Sequence, residues 1–333
     1  MHQKRDAKHR RPTTAGRGKA LVTVVLALTG GTLLNAQALL ATAEQLELGD
    51  KRDVAVAVME PVADLSHRLR LDVPRRELDE LLGRAPEPTP SPRPTPSPTP
   101  VPTAQPASPS PRPTSSALRV PTARDPLRIA VVGDSMAQVS GQSLIRMADD
   151  LDVARAELDF RFSSGLTRPD FFDWPGHLAS LLAQRRPPEA LVVFFGANDA
   201  QGMETAAGVL RYGSSAWDEA YRVRVAAVMD QLTRGGARVY WVGQPVARMA
   251  DYSRRMKHLD EIYRGEAARH PGVRYVDSWP LFTAADGGYS AYLETDDGLT
   301  LMRQADGIHL SRAGGDLLAA AILDALRLDW RLP

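Results

Sequence analysis

Fourteen prolines fall between Pro86 and Pro121, thirteen of them in a stretch that reads PEPTPSPRPTPSPTPVPTAQPASPSPRPTSS. Proline fixes φ and has no N–H, so such a segment enters neither a helix interior nor a central strand. Residues 85–126 are therefore expected to be an extended polyproline II linker, with a reach of up to about 110 Å at about 3.1 Å per residue. Whatever precedes this tract must fold apart from whatever follows it. A Pro-rich ligand for an SH3-type domain is the other use of this composition.

Ahead of the tract, residues 1–19 carry seven Lys/Arg against one acid, Asp6. Residues 20–43 (ALVTVVLALTGGTLLNAQALLATA) then run without a charge. As one helix they would span about 36 Å at about 1.5 Å per residue, enough to cross a hydrocarbon core of about 30 Å. The basic flank predicts a cytoplasmic N-terminus, with 20–43 as a signal-anchor. A cleaved signal peptide is the alternative, because Ala36-Gln37-Ala38 and Ala41-Thr42-Ala43 resemble cleavage sites. Residues 44–84 read as short membrane-proximal helices around Leu65–Leu71 and Leu78–Leu82, punctuated by Pro61 and Pro74.

After the tract the pattern changes to short apolar runs alternating with helical stretches. Strands are expected at Leu127–Val132, Leu158–Phe162, Leu191–Phe195, Val239–Val242 and Val273–Val276. Helices are expected at Ser140–Asp149, Leu178–Arg185, Ala216–Thr233, Arg248–Ala268 and Arg312–Leu328. This alternation implies a three-layer α/β/α sandwich on a mostly parallel sheet over 127–333. That region holds 23 Lys/Arg and 27 Asp/Glu, which argues against nucleic-acid binding. The absence of cysteine excludes a disulfide framework and thiolate metal ligands. The seven histidines show no metal-ligand spacing, and no cofactor is expected. Asp296 and Asp297 form an acidic pair that reads as a solvated loop more readily than as a cation site.

Three runs carry chemistry. Ser135, in VVGDSM, follows the first strand directly, where open α/β sheets place ligands. It is either a nucleophile or a helix N-cap, and Asp134 reads as a brace for its turn. Asn198, in FFGANDA, follows the third strand; its amide can donate to an anion, or it simply makes a turn. Asp199 reads as a support for that loop, and Gly196 permits its tight path. Asp306 and His309, in DGIH before the last helix, suit a general base and its orienter, or a loop histidine with a capping acid. A serine nucleophile needs such a base. The N–H groups of Ser135 and of Gly165, in FSSGLT, are candidate oxyanion donors alongside Asn198.

Together these residues resemble the four blocks of the SGNH hydrolases, the GDSL-like lipase/esterase family: Ser135 in GDSM, Gly165 in SSGL, Asn198 in GAND, and His309 with Asp306 in DGIH. TRPDFFDWP, FGANDAQGM and DGIHLSRAGG resemble a bacterial, membrane-anchored subfamily of unassigned function. The resemblance covers 127–333 and implies a flavodoxin-like fold and ester hydrolysis or transfer through an acyl-serine. With the anchor and linker, it points to an esterase acting outside the cytoplasm on acylated carbohydrate or another envelope ester. An O-acyltransferase supplied by a separate membrane acyl donor, and a non-catalytic binding module, are the alternatives. Arg168, Asp170, Trp174, Tyr252, Arg254 and Arg255 suit a substrate pocket, since aromatic and Arg side chains fit sugar faces and carboxylates.

Overall fold

A computed structural model describes residues 14–44, 50–69, 71, 118–296 and 298–333. Residues 85–117 of the proline tract, Pro74, Leu78–Leu82 and Asp297 lie outside the described residues. The chain divides into two compact units, Met1–Ser110 and Pro111–Pro333.

Among the described residues the first unit contains three helices: α1 (Thr14–Leu34), α2 (Ala36–Glu44) and α3 (Asp50–Arg68). The uncharged run is thus not one uninterrupted helix. It breaks at Asn35, whose side-chain amide competes for the backbone by donating to the Gly31 carbonyl at 2.8 Å. Backbone bonds still cross the break, from Asn35 N–H to Gly31 and from Leu39 N–H to Asn35. Among the described residues, no helix is long and apolar enough to cross a membrane. α3 packs back along this pair. Gln37 donates to the Ala63 carbonyl, Ser66 donates to that of Leu33, and Ala36, Ala43 and Ala63 are buried between the helices. Pro61 lies inside α3 rather than ending a helix. It removes one backbone donor, which the remaining turns tolerate.

The second unit is a five-stranded parallel sheet: β1 (Leu127–Gly133), β2 (Ala154–Phe160), β3 (Ala190–Phe194), β6 (Arg238–Val242) and β7 (Val273–Val276). The spatial order is β2-β1-β3-β6-β7. Two small antiparallel hairpins are inserted, β4 (Met203–Thr205) with β5 (Gly208–Leu210) and β8 (Tyr292–Thr295) with β9 (Gly298–Leu301). α4 (Met136–Asp149) and α8 (Arg312–Trp330) cover one face. α5 (Trp174–Leu182), α6 (Ser215–Arg234) and α7 (Ala250–Ala267) cover the other.

Strand alternation builds both layers. Ile129, Val131, Val192, Phe194, Tyr240 and Val242 pack toward α4 and α8. Ala130, Val132, Leu191, Val193, Val239 and Trp241 pack toward α5, α6 and α7. The inner strands are therefore continuous apolar runs, and the expected positions of β1, β3, β6 and β7 hold. β2 does not hold at 158–162. It pairs from Ala154 to Phe160 along β1, and Phe162 is exposed. As an edge strand with one neighbour, it alternates Arg155, Glu157 and Asp159 with apolar residues, so no continuous apolar run marks its start. Helix starts follow their caps: Asp173, Ser214 and Ser311 accept from the N–H groups of Gly176, Trp217 and Gly314.

At Gly133 the sheet leaves no room for a side chain, because a Cβ there would stand in the Phe194 carbonyl oxygen of β3. Gly133→Ala is expected to destabilise the folded protein by about 1–3 kcal/mol. Urea denaturation should show a lower midpoint, and an unchanged midpoint would contradict this packing.

Candidate active site

The site forms where β1 and β3 end and where the loop before α8 comes back to them. Ser135 is the N-cap residue of α4, with φ −58° and ψ −24°, but its side chain makes no capping bond. Asp134 takes that task, accepting from Met136 N–H at 2.9 Å. The Ser135 hydroxyl instead lies 2.9 Å from His309 Nε2. His309 Nδ1 lies 2.6 Å from Asp306 Oδ2. A carboxylate only accepts, so Nδ1–H donates to Asp306 and Nε2 is left to accept the Ser135 proton. Asp306 Oδ1 also accepts from the N–H groups of Ile308 and His309, at 2.8 and 3.0 Å. Burial alone would raise this carboxyl. The His309 ring and the two amides outweigh it and hold Asp306 below its ordinary value.

Asp134 and Asp199 join the remaining loops to Ser135. Asp134 is fully buried, and its Oδ2 accepts from Gly196 and Ala197 N–H at 3.0 and 2.9 Å. The serine turn is thereby fixed to the loop that carries Asn198. Asn198 Nδ2 donates to the Ser164 carbonyl at 3.1 Å, which uses one of its two amide hydrogens. Asp199, also fully buried, accepts from the N–H and hydroxyl of Thr167 at 2.8 and 2.9 Å and from the Tyr221 hydroxyl at 2.8 Å. Its carboxylate fills the space a side chain at position 165 would need, so Gly165 is the residue that fits. Burial pushes Asp134 up to about 7, against the pull of its amide donors and with Asp199 adding to the rise. Asp199 is likewise raised, by burial first.

The expected pocket residues fare differently. Trp174, the first residue of α5, is fully buried in the core and donates its indole N–H to Ser164 Oγ at 2.9 Å; it cannot line a pocket. Arg168 is buried and bound to Asp170 through Nε and Nη2, so both serve the 164–173 loop. Arg254 is exposed on α7 and pairs with Asp251. Arg255 donates to the Ala200 carbonyl and lies over the Tyr212 ring. Tyr252 is nearest to the chemistry: its hydroxyl donates to the Ala197 carbonyl at 2.7 Å, beside Asn198. Among the described residues no cluster of His, Asp and Glu fit to hold a metal ion occurs.

Arg303, which follows the apolar run LTLM, went unnoticed in the sequence. It is almost wholly buried, stacks on Phe282, and donates to the carbonyls of Ile308 and Val246 at 2.7 and 2.5 Å. Its backbone bridges to Leu310. Arg303 therefore ties the Asp306–His309 turn to the loop after β6. Burial lowers it to about 10, which still leaves it cationic at neutral pH.

The strand order is that of flavodoxin-like folds, with the site at the carboxyl edge of the strands. The Ser, Gly, Asn and His blocks stand on four linked loops, the arrangement whose sequence resembles that of the SGNH hydrolases. The chain belongs to the DUF459 family, described as protein of unknown function, whose profile matches residues 128–325. Among solved structures it is similar to a Slackia heliotrinireducens protein described as an SGNH hydrolase: 21% identity, 60% of this chain and 99% of that one, TM-score 0.43. It is also similar to the acetyl xylan esterase AlAXEase, at 16% identity, 60% and 100% coverage and TM-score 0.42. A third is the C-terminal catalytic domain of peptidoglycan O-acetyltransferase A from Streptococcus pneumoniae, at 15% identity, 62% and 97% coverage and TM-score 0.37. No curated protein matches the chain in sequence.

The raised Asp134 carries a pH dependence of stability. A folded value of about 7 against an unfolded 3.8 means that the folded state holds this proton more tightly. The resulting stability is full below 3.8 and is lost as pH rises through 7. Asp134→Asn has no such proton to lose. From pH 4 to 7 its stability relative to wild type should improve by up to about 4 kcal/mol and then level off. Denaturation midpoints of both proteins across this range would refute the assignment if their difference stayed constant.

Proposed function

We propose that residues 127–333 form a serine esterase that removes acyl groups, acetyl above all, from carbohydrate of the cell envelope through an acyl-serine intermediate. The observation that carries this reading is the continuous hydrogen-bonded line Ser135–His309–Asp306. Ser135 Oγ attacks the ester carbonyl while His309 Nε2 takes its proton. Asp306 orients the ring and offsets its positive charge. The oxyanion accepts from the N–H groups of Ser135 and Gly165 and from the second amide hydrogen of Asn198. Collapse expels the alcohol, which His309 protonates, and water then repeats the sequence to release the acid. Two features favour the serine of a nucleophile over that of a cap: Asp134 already caps α4, and the hydroxyl is turned to the histidine.

In this reading residues 20–43 hold the protein in the membrane and residues 85–126 space the domain from it, outside the cytoplasm. The support is the uncharged run behind seven basic residues. Protease added to intact cells or spheroplasts should remove the domain, and full protection would refute this placement.

The catalytic reading is tested on the full chain in detergent with p-nitrophenyl acetate and acetylated cell-wall fractions. Ser135→Ala should abolish turnover, and Asn198→Ala should lower kcat by about a hundred- to a thousandfold. Undiminished turnover by the serine variant would overturn the mechanism. Exclusive transfer of acetate to a sugar acceptor would replace hydrolysis by acyl transfer.

A further inference from the structure

Arg248 ends the connection from β6 to α7, and none of the steps above uses it. Its backbone N–H donates to the Gly307 carbonyl at 3.0 Å. Its Nη1 donates to the Ala305 carbonyl at 2.9 Å, and its guanidinium carbon stands 5.9 Å from the Tyr289 ring centroid. A Cβ on residue 307 would lie 2.5 Å from Arg248 Cβ and 2.8 Å from its Nε, and Gly307 has φ +75°. The turn between Asp306 and His309 is therefore shaped around this arginine: any side chain at 307 would expel it. Gly307 is two residues from His309, so at most about 7.6 Å separates their Cα atoms.

The side chain is exposed, and these contacts occupy only part of its fork of donors. Among the described residues, no carboxylate forms an ion pair with it. Arg303, on the inner side of the same turn, has its backbone-carbonyl partners and the field of Asp306 but likewise no ion pair. Two guanidiniums thus grip one turn against a single carboxylate, in a domain whose overall balance is acidic. Such local excess of fixed positive charge draws anions. A held guanidinium with an open edge matches the paired oxygens of a carboxylate or phosphate.

The side of the ester it would meet follows from the mechanism. His309 hands its proton to the departing alcohol, so the turn carrying His309 borders the alcohol portion. Resting on the esterase reading, we propose that Arg248 is a specificity residue that binds an anionic group on the alcohol side of the ester. The preferred substrate is then an acylated acidic glycan rather than a neutral one.

Three acetate esters of one ring test this on the full chain: phenyl acetate, 3-acetoxybenzoate and 3-acetoxyphenyl phosphate. Turnover of phenyl acetate by wild type reads the esterase assignment alone. The ratio of kcat/KM on either anionic ester to that on phenyl acetate reads Arg248. Wild type should favour at least one anion, and which one distinguishes a uronate-like from a phosphate-bearing partner. Arg248→Gln should lower that ratio at least tenfold, chiefly through KM, and Arg248→Lys should keep part of it. Equal losses on neutral and anionic esters would overturn the proposal. So would a wild-type enzyme that hydrolyses phenyl acetate and prefers neither anion, a result that needs no variant to fold.

Discussion

The Asp134 carboxylate is the point on which the loops of the site converge. It is withdrawn from water, and it takes one amide from the first turn of α4 and two from the loop after β3. Burying a carboxyl is costly unless donors surround it. Three backbone N–H groups do so here, and each would itself be unsatisfied without it. The same carboxylate thus releases Ser135 from capping and fixes the distance between the serine turn and the Asn198 loop. A side chain of another length, or one that donated where it must accept, would lose both at once.

Beyond Asp134, the loops are bound to one another by side chains rather than by secondary structure. Asp199 joins the Thr167 loop to the Asn198 loop and leans on Tyr221, whose hydroxyl lies 2.7 Å from that of Tyr263. Tyr252 holds the Ala197 carbonyl, and Arg303 holds those of Ile308 and Val246. In low dielectric a network of this kind is worth more when complete and costs more when broken. That is a physical reason for rigid loops at a strand edge, where ladder bonds have ended and water is partly excluded.

How much of this the sequence revealed depends on the range over which each signal acts. Inner strands such as Leu191–Phe194 are buried on both faces, so their apolar runs are visible without knowing the neighbours. β2 answers to one neighbour and to solvent, and its alternation was masked by the stronger run ending in Phe162. The two hairpins are three and four residues per strand, too short to carry a period. Ser135, Asn198, Asp306 and His309 were legible because each sits in a compact block beside a strand or helix end. Trp174 and Arg168 sit in such a block too, yet they face the core and Asp170. Which way a loop side chain turns depends on residues far away in sequence. Arg303 had no signal for the same reason: its partner carbonyls belong to Ile308 and to Val246, 57 residues distant.

The charge arrangement around His309 has a consistent logic. A base that becomes cationic during reaction would gain from acids around it and lose from cations nearby. Yet its turn is held by Arg303 and Arg248, with Asp306 as the acid bonded to the ring. The amides of Ile308 and His309 complete the hold on that acid, keeping it ionised and its oxygens spoken for. One short, oriented hydrogen bond then holds the ring to Asp306. The exposed guanidinium of Arg248 costs little without a carboxylate partner. In the proposed reaction its remaining donors would meet an anionic group on the alcohol side of the ester.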